Sequence, residues 1–289
     1  MRSLSLLSPA KINLSLYVVG KLPDGYHRLV TLFHRISLTD TLTLRKKSSG
    51  FQLSCSNPAL DPGESNLITK AYRHLQREIP DLGGVSVRLT KRIPLQGGLG
   101  GGSSNAAFFL LGMRRLYRLP LSQRQLLRIG ERLGADVPFF LYNVSQARGE
   151  HRGDVIRPQP ARRMRWFVLV LFQQGVSTAA CFKAYKDGGA SLTKKRRVAR
   201  IRCLLSDHGD SLDVAAKLYN DLEGPAFRFN PSIREVMALL VQLGAPAVAM
   251  SGSGPTVFAM VDDLQEARNL KKRLEQRLLP ERIRICRTF

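Results

Sequence analysis

One string constrains this chain more than any other: residues 94–107, Pro-Leu-Gln-Gly-Gly-Leu-Gly-Gly-Gly-Ser-Ser-Asn-Ala-Ala. Five of the six residues 97–102 are glycine, so the backbone there can take positive φ and approach a ligand closely. Ser103, Ser104 and Ala106 then open a helix predicted over about residues 103–117. A glycine loop running into a helix start presents free N–H groups and the positive end of the helix dipole to one place, which makes an anion site built mostly of backbone. A Cβ at Gly101 would intrude on that anion and forbid a positive φ. A flexible linker would also be glycine-rich, but would not lead straight into a helix. The string brushes the dinucleotide fingerprint, yet that motif needs an acidic residue about 20 positions on, and residues 120–125 offer none. It is not a Walker A loop, because no Gly-Lys-Ser/Thr follows.

The chain has 289 residues, more than a typical single domain, so one large or two fused domains are expected. No run of about 18 apolar residues is present, and the N-terminus lacks a signal-peptide core, so a cytoplasmic enzyme is the expectation. Cys55, Cys181, Cys203 and Cys286 are scattered, which argues against a zinc site or disulfide framework. Forty-five basic residues against 22 acidic ones give a formal charge of +23. Such a field favours nucleotides, diphosphates, nucleic acid or acidic lipid; a general bias toward Arg and Lys explains it equally well.

Around residues 8–19, Lys11, Asn13 and Ser15 alternate with Ile12, Leu14 and Leu16, the period of a strand with one polar face. Pro23-Asp24-Gly25 is a turn signal, and 36–44 reads as a strand. Leu67, Ile68, Ala71, Tyr72 and Leu75 predict a helix over 66–79, with Ser65 as its N-cap. Further expectations are a strand at 85–89, helices at 122–133 and around 233–240, a buried strand at 166–172, and a hairpin of 247–250 with 257–260 around Ser251-Gly252-Ser253-Gly254-Pro255. The basic stretch 194–200 is expected to be an exposed loop or helix face. Strands and helices mix without regular alternation, which predicts α+β, with two halves meeting near residue 150.

Taken whole, residues 94–107 resemble the second motif of the GHMP kinases, the superfamily of galactokinase, homoserine kinase, mevalonate kinase and phosphomevalonate kinase, whose loop wraps the ATP phosphates. Pro9-Ala-Lys-Ile-Asn-Leu resembles the N-terminal motif of that family, and Met250-Ser-Gly-Ser-Gly-Pro-Thr-Val-Phe-Ala its C-terminal glycine motif. Asp24-Gly25-Tyr26-His27-Arg28-Leu29, Gly-Leu-Gly-Gly-Gly-Ser-Ser-Asn at 98–105 and Gly-Ala-Asp-Val-Pro at 134–138 resemble the branch acting on a cytidine-diphosphate-linked methylerythritol, phosphorylated on its 2-hydroxyl, in non-mevalonate isoprenoid synthesis. The resemblance implies a two-domain α+β fold with the active site in the cleft between an ATP-binding domain, 1–153, and a substrate-binding domain, 154–289. The sequence departs from the pattern at Gln96, where a small residue is usual, and in the short segment after Gly175-Val-Ser.

The resemblance also implies roles. Pro94, Gln96, Gly97, Gly98, Leu99, Gly100, Gly101, Gly102, Ser103 and Ser104 would hold the ATP phosphates, with Asn66 and Leu67 on the adenine side. Asp136 would be the general base and Lys11 its cationic partner. Asn13 would bind substrate hydroxyls. Tyr26 and His27 would read the cytosine, with Phe182 and Lys183 closing its other side. Backbone at Gly252 and Gly254 would meet the substrate diphosphate. Each has a plainer alternative: Asp136 as a helix or turn cap, Lys11 as an exposed strand lysine, Tyr26–His27 as a surface loop, Asn66–Leu67 as capping and packing, Gly252–Gly254 as an ordinary hairpin. Mg2+ is expected from the chemistry, with Ser104 the candidate ligand. No membrane or nucleic-acid partner is required. The rival from another class is a basic RNA-binding protein, supported by Arg114-Arg115, Arg162-Arg163 and the 194–197 cluster, but no RNA-reading module appears.

Overall fold

The computed structural model describes residues 2–160, 163–185, 199 and 218–289; apart from Ala199, the basic stretch 194–200 lies outside them. The chain forms two compact units, one of Met1–Ala10, Leu38–Leu95 and Gly100–Val144, the other of Lys11–Ser37, Gln96–Leu99 and Ser145–Phe289. Two long strands, β1 (Ser3–Lys21) and β2 (His27–Lys47), each lend one stretch to either unit.

In the first unit, β2 pairs antiparallel with β4 (Gly84–Thr90), Thr41 opposite Thr90, and β3 (Phe51–Cys55) lies parallel to β4. Four helices accompany this sheet: α1 (Leu67–Glu78), α2 (Gly101–Tyr117), α3 (Gln123–Leu133) and α4 (Val137–Leu141). Ala106, Ala107, Phe109, Leu110 and Met113 of α2 are buried. Gly112 brings α2 close to the sheet, since a Cβ there would lie 2.8 Å from Leu6 Cδ1 and 3.0 Å from Leu44 Cδ2. The N-cap of α1 is Asn66, not the predicted Ser65. Asn66 accepts from the Ile68 N–H, whereas the Ser65 hydroxyl donates to Asp61. α3 opens with the reciprocal bonds of a capping box between Ser122 and Gln125.

In the second unit, β5 (Gln146–His151) forms a hairpin with β6 (Val155–Gln159) and pairs along β2 from Leu29 to His34. A second sheet has the order β11-β7-β10-β9, from Ile283–Arg287, Trp166–Val170, Val257–Val261 and Ala247–Met250. The predicted hairpin is its β9–β10 pair, Val257 opposite Met250. The two-residue β8 (Tyr219–Asn220) runs parallel to β1 at Ser15 and Leu16. Short helices α5 (Thr178–Ala184) and α6 (Glu223–Phe229) are followed by α7 (Ser232–Gln242) and α8 (Leu264–Leu274). α7 and α8 bury Ile233, Val236, Leu240, Leu270 and Leu274 against Val168, Val170, Val257 and Ala259. Among the described residues no helix is long and apolar enough to cross a membrane.

Candidate active site

The glycine string takes positive φ and runs straight into a helix, as its composition predicts, with one shift. α2 starts at Gly101, two residues earlier than expected, and Gly100 is its N-cap at φ 66°, with no side chain capping it. The opening N–H groups of α2 are therefore available to an anion. The left-handed positions are Gly98 (φ 74°) and Gly100, not Gly101. Gly101 excludes a side chain for a different reason: its Cβ would sit 2.8 Å from Ile93 Cγ2 and 3.2 Å from the Lys91 ammonium. Gly102 and the half-buried Ser103 are accessible, and a Cβ on Gly102 would lie 3.6 Å from Leu67 Cδ1, which puts Leu67 beside the helix start. The Asn66 amide both caps α1 and donates to the Asp61 carbonyl at 2.9 Å. Pro94 is half-buried between Ile93 and the loop.

Beneath this helix start lies a buried polar network that sequence reasoning did not find. Ser104 is fully buried and its hydroxyl meets that of Ser8 at 2.7 Å. Asn105 donates to Ser8 Oγ at 3.0 Å and to Asp40 Oδ2 at 2.9 Å. The other Asp40 oxygen accepts the N–H groups of Arg92 and Ile93 at 2.7 and 2.9 Å, and the Lys91 ammonium pairs with Asp40. Asp136 stands at the N-cap position of α4, ahead of Val137-Pro138, half-buried, with no capping hydrogen bond from its side chain.

In the second unit, residues 97–99 of the loop are stitched to β1 and to the turn between β9 and β10. The Leu99 carbonyl accepts from the Lys11 N–H at 3.0 Å, and the Gly97 carbonyl from the Thr256 N–H at 3.4 Å. The Ser251 hydroxyl donates to the Gly98 carbonyl at 3.0 Å and accepts from the Asn13 N–H at 3.3 Å. A Cβ on Gly98 would fall 2.2 Å from the Ser251 carbonyl. Gln96, the departure noted above, holds φ 52° and packs on Gly175, whose Cβ would lie 2.6 Å from its own.

Lys11 and Asn13, on one face of β1 as their alternation predicts, are both buried. The Lys11 ammonium donates to Asn13 Oδ1 at 2.7 Å, and Asn13 Nδ2 donates to Thr31 Oγ1 at 2.7 Å. Gly252 (φ 58°) faces them, since a Cβ there would be 3.4 Å from both the Lys11 nitrogen and Asn13 Oδ1. The N–H groups of Gly252 and Ser253 have no acceptor among the described residues, while Gly254 (φ 79°) donates back to the Ser251 carbonyl at 2.9 Å. Asn220 holds this turn from behind, donating to the Met250 and Gly252 carbonyls at 2.8 and 2.7 Å. Glu223 accepts from the Met250 N–H at 3.1 Å, and burial pushes its carboxyl up to about 7.

The Tyr26–His27 pair is also built rather than loose. The Tyr26 N–H donates to Asp24 Oδ1 at 3.1 Å; that bond and the neighbouring Arg152 hold the Asp24 carboxyl below its ordinary value. The Arg152 guanidinium lies 4.3 Å from the Tyr26 ring centroid. His27 stacks on Phe182 at 5.3 Å and meets the edge of Tyr185 at 5.8 Å. Lys183 is exposed in the last turn of α5. Tyr185 and Arg152 carried no sequence signal, because their partners are tertiary.

The first unit thus shows a glycine loop opening a helix, and the second a buried lysine–asparagine pair faced by a glycine turn. Residues 66–143 match the GHMP kinases N terminal domain and residues 194–280 the GHMP kinases C terminal family. The 4-diphosphocytidyl-2-C-methyl-D-erythritol kinase of Syntrophus aciditrophicus is 40% identical over 265 residues, 92% of either chain. That of Moorella thermoacetica is 38% identical across the whole of both chains. A crystal structure of 4-(cytidine 5'-diphospho)-2C-methyl-D-erythritol kinase superposes with TM-score 0.81 at 33% identity, covering 98% of each chain. Homoserine kinase from Cytophaga hutchinsonii, at 16% identity and TM-score 0.76 over 100% of this chain and 95% of its own, shares the fold. The chain therefore belongs to the 4-diphosphocytidyl-2-C-methyl-D-erythritol kinase family, with that family's two-domain GHMP fold.

Proposed function

We propose that this protein transfers the γ-phosphoryl group of ATP to the 2-hydroxyl of 4-diphosphocytidyl-2-C-methyl-D-erythritol, a step of non-mevalonate isoprenoid precursor synthesis. The observation that carries the reading is the Lys11–Asn13 pair facing the Gly252 turn, in a chain similar over its full length to kinases named for that substrate. The likeness favours this over a basic RNA-binding protein.

In the transfer, the substrate hydroxyl oxygen forms a bond to the γ-phosphorus as the bond to the β–γ bridging oxygen breaks, leaving ADP with that electron pair. The hydroxyl proton passes to the Asp136 carboxylate. Lys11 offsets the charge that develops on the transferring group. Asn13, held by Lys11 and Thr31, orients the substrate hydroxyls. Residues 96–104, with Pro94 at their head, cradle the ATP phosphates; Asn66 and Leu67 flank the adenine. The free N–H groups at Gly252 and Ser253, shaped by Gly252 and Gly254, suit the substrate diphosphate. The His27–Phe182 stack, with Tyr26 and Lys183 beside it, supports recognition of cytosine.

Mg2+ would neutralise the nucleotide phosphates. No group of three or more His, Cys, Asp or Glu side chains among the described residues could hold a metal, and the Ser104 hydroxyl is engaged with Ser8. The phosphates themselves would supply most of the ligands; Ser104, the expected protein ligand, is fully buried and would have to release Ser8 to join them. By the same reading this is a cytoplasmic enzyme that needs neither membrane nor nucleic acid, with an ATP-binding domain of residues 1–153 and a substrate-binding domain of 154–289, the stretch Lys11–Ser37 of the former lying within the second compact unit and contributing Asn13, Tyr26 and His27 to substrate recognition. A substrate panel tests the function: ATP turnover is expected with the cytidine-diphosphate-linked polyol, and comparable rates with mevalonate or homoserine would overturn it.

A further inference from the structure

We infer that Asp40 is a positioning residue for nucleotide binding, one buried carboxylate that sets both ends of the phosphate loop. The inference rests on the reading of residues 97–104 as the ATP phosphate cradle. Asp40 is wholly inaccessible, and an isolated carboxylate in such a place would be strongly disfavoured. Four donors converge on it. The N–H groups of Arg92 and Ile93 lie on the approach to the loop, and Asn105 Nδ2 lies in the helix that leaves it. The ammonium of Lys91, whose side chain is only 3% exposed, completes the set, and it sits 3.2 Å from where a Gly101 Cβ would be, against the first residue of α2.

The same carboxylate therefore fixes the height at which the chain enters the loop and the position of the helix start at which it leaves. Asn105 extends the bracing to Ser8 and, through it, to the Ser104 hydroxyl. Because phosphate binding by backbone N–H groups depends on their placement rather than on side-chain reach, an error at either anchor is felt by every bond to the phosphates.

Two simpler roles make different predictions. If Asp40 serves only as a structural ion-pair partner, its loss lowers stability and leaves ATP affinity alone. If its charge is what matters, removing an anion near the phosphates tightens ATP binding. Positioning predicts weaker binding. Asp40→Asn turns one of the two acceptor oxygens into an amide donor, which meets either Lys91 and Asn105 Nδ2 or the Arg92 and Ile93 N–H groups, so one of the two anchors is lost.

Full-length wild type and Asp40→Asn are compared by calorimetry with a non-hydrolysable ATP analogue, by KM for each substrate, and by thermal melting. ATP affinity should weaken about tenfold, the scale of one charge-assisted hydrogen bond, while the KM for the polyol stays within about twofold. Asn105→Ala leaves the ion pair and the Arg92 and Ile93 bonds intact, so it avoids a buried unpaired charge if Asp40→Asn fails to fold; it should weaken ATP by about threefold. A wild type that does not bind the analogue overturns the cradle reading itself. A wild type that binds, with either folded variant binding equally or more tightly, overturns the role of Asp40.

Discussion

Replacing Glu223 by glutamine isolates one charge that the second unit holds against its preference. The carboxyl accepts the Met250 N–H at 3.1 Å, at the edge of the glycine turn, and burial raises it from 4.5 to about 7. The difference is worth about 3 kcal/mol between the two protonation states. Glu223 is protonated in both folded and unfolded chains below about pH 4.5, so there it costs the native state nothing. As pH rises from 4.5 toward 7 the unfolded chain ionises first, and native stability falls by about 1.4 kcal/mol per pH unit before levelling off. Glutamine keeps the acceptor oxygen and carries no charge, so Glu223→Gln mimics the protonated state at every pH. His34 slopes the other way in the same window, because burial lowers it from 6.5 to about 4, but it is common to both proteins and cancels in the difference. Urea unfolding from pH 4.5 to 8.5 should show the two proteins equal at the acid end and the variant about 3 kcal/mol more stable at pH 8, which is a Tm gain of about 6–10 °C. Parallel curves across the range would refute the assignment of a buried, proton-holding carboxyl.

Two further outcomes follow from the site. Gly98→Ala should raise the KM for ATP at least about tenfold in steady-state assays of a folded protein, because its Cβ would meet the Ser251 carbonyl at 2.2 Å in a left-handed conformation; unchanged ATP affinity would mean this segment does not hold phosphate. Asp136→Asn should cut single-turnover transfer by about 10²–10⁴ with little change in substrate affinity, and adding Lys11→Ala should cost little more than the worse single change; fully multiplicative losses would give Lys11 a separate role.

What the sequence revealed divides along physical lines. The glycine loop and α2 were legible because glycine density and the immediate helix start are both local. β1 was legible because Lys11, Asn13 and Ser15 alternate with apolar neighbours. The cap of α1 was missed by one residue, since Ser65 and Asn66 are both good caps and only the tertiary contact of Ser65 with Asp61 separates them. α6 escaped because Gly224-Pro225 reads as a break, although proline is tolerated in a first helical turn. The β5–β6 hairpin begins Gln-Ala-Arg-Gly-Glu-His, too polar to suggest a strand; its pairing with β2 decides it. Asp40 gave no signal at all, because Lys91 and Asn105 lie 51 and 65 residues away and a lone acid in a strand is commonplace. The surroundings of His27 were half-legible: the family resemblance set Phe182 across the cytosine from it, whereas the direct stack of the two rings and the edge of Tyr185 came only from the fold.

The most direct measurement of the central claim is the position of the new phosphate. Incubation of the protein with ATP and 4-diphosphocytidyl-2-C-methyl-D-erythritol, followed by phosphorus–carbon correlation NMR of the product, should show one phosphomonoester on the tertiary C2 oxygen and stoichiometric ADP. No new phosphomonoester, or one on any other hydroxyl, would contradict the account.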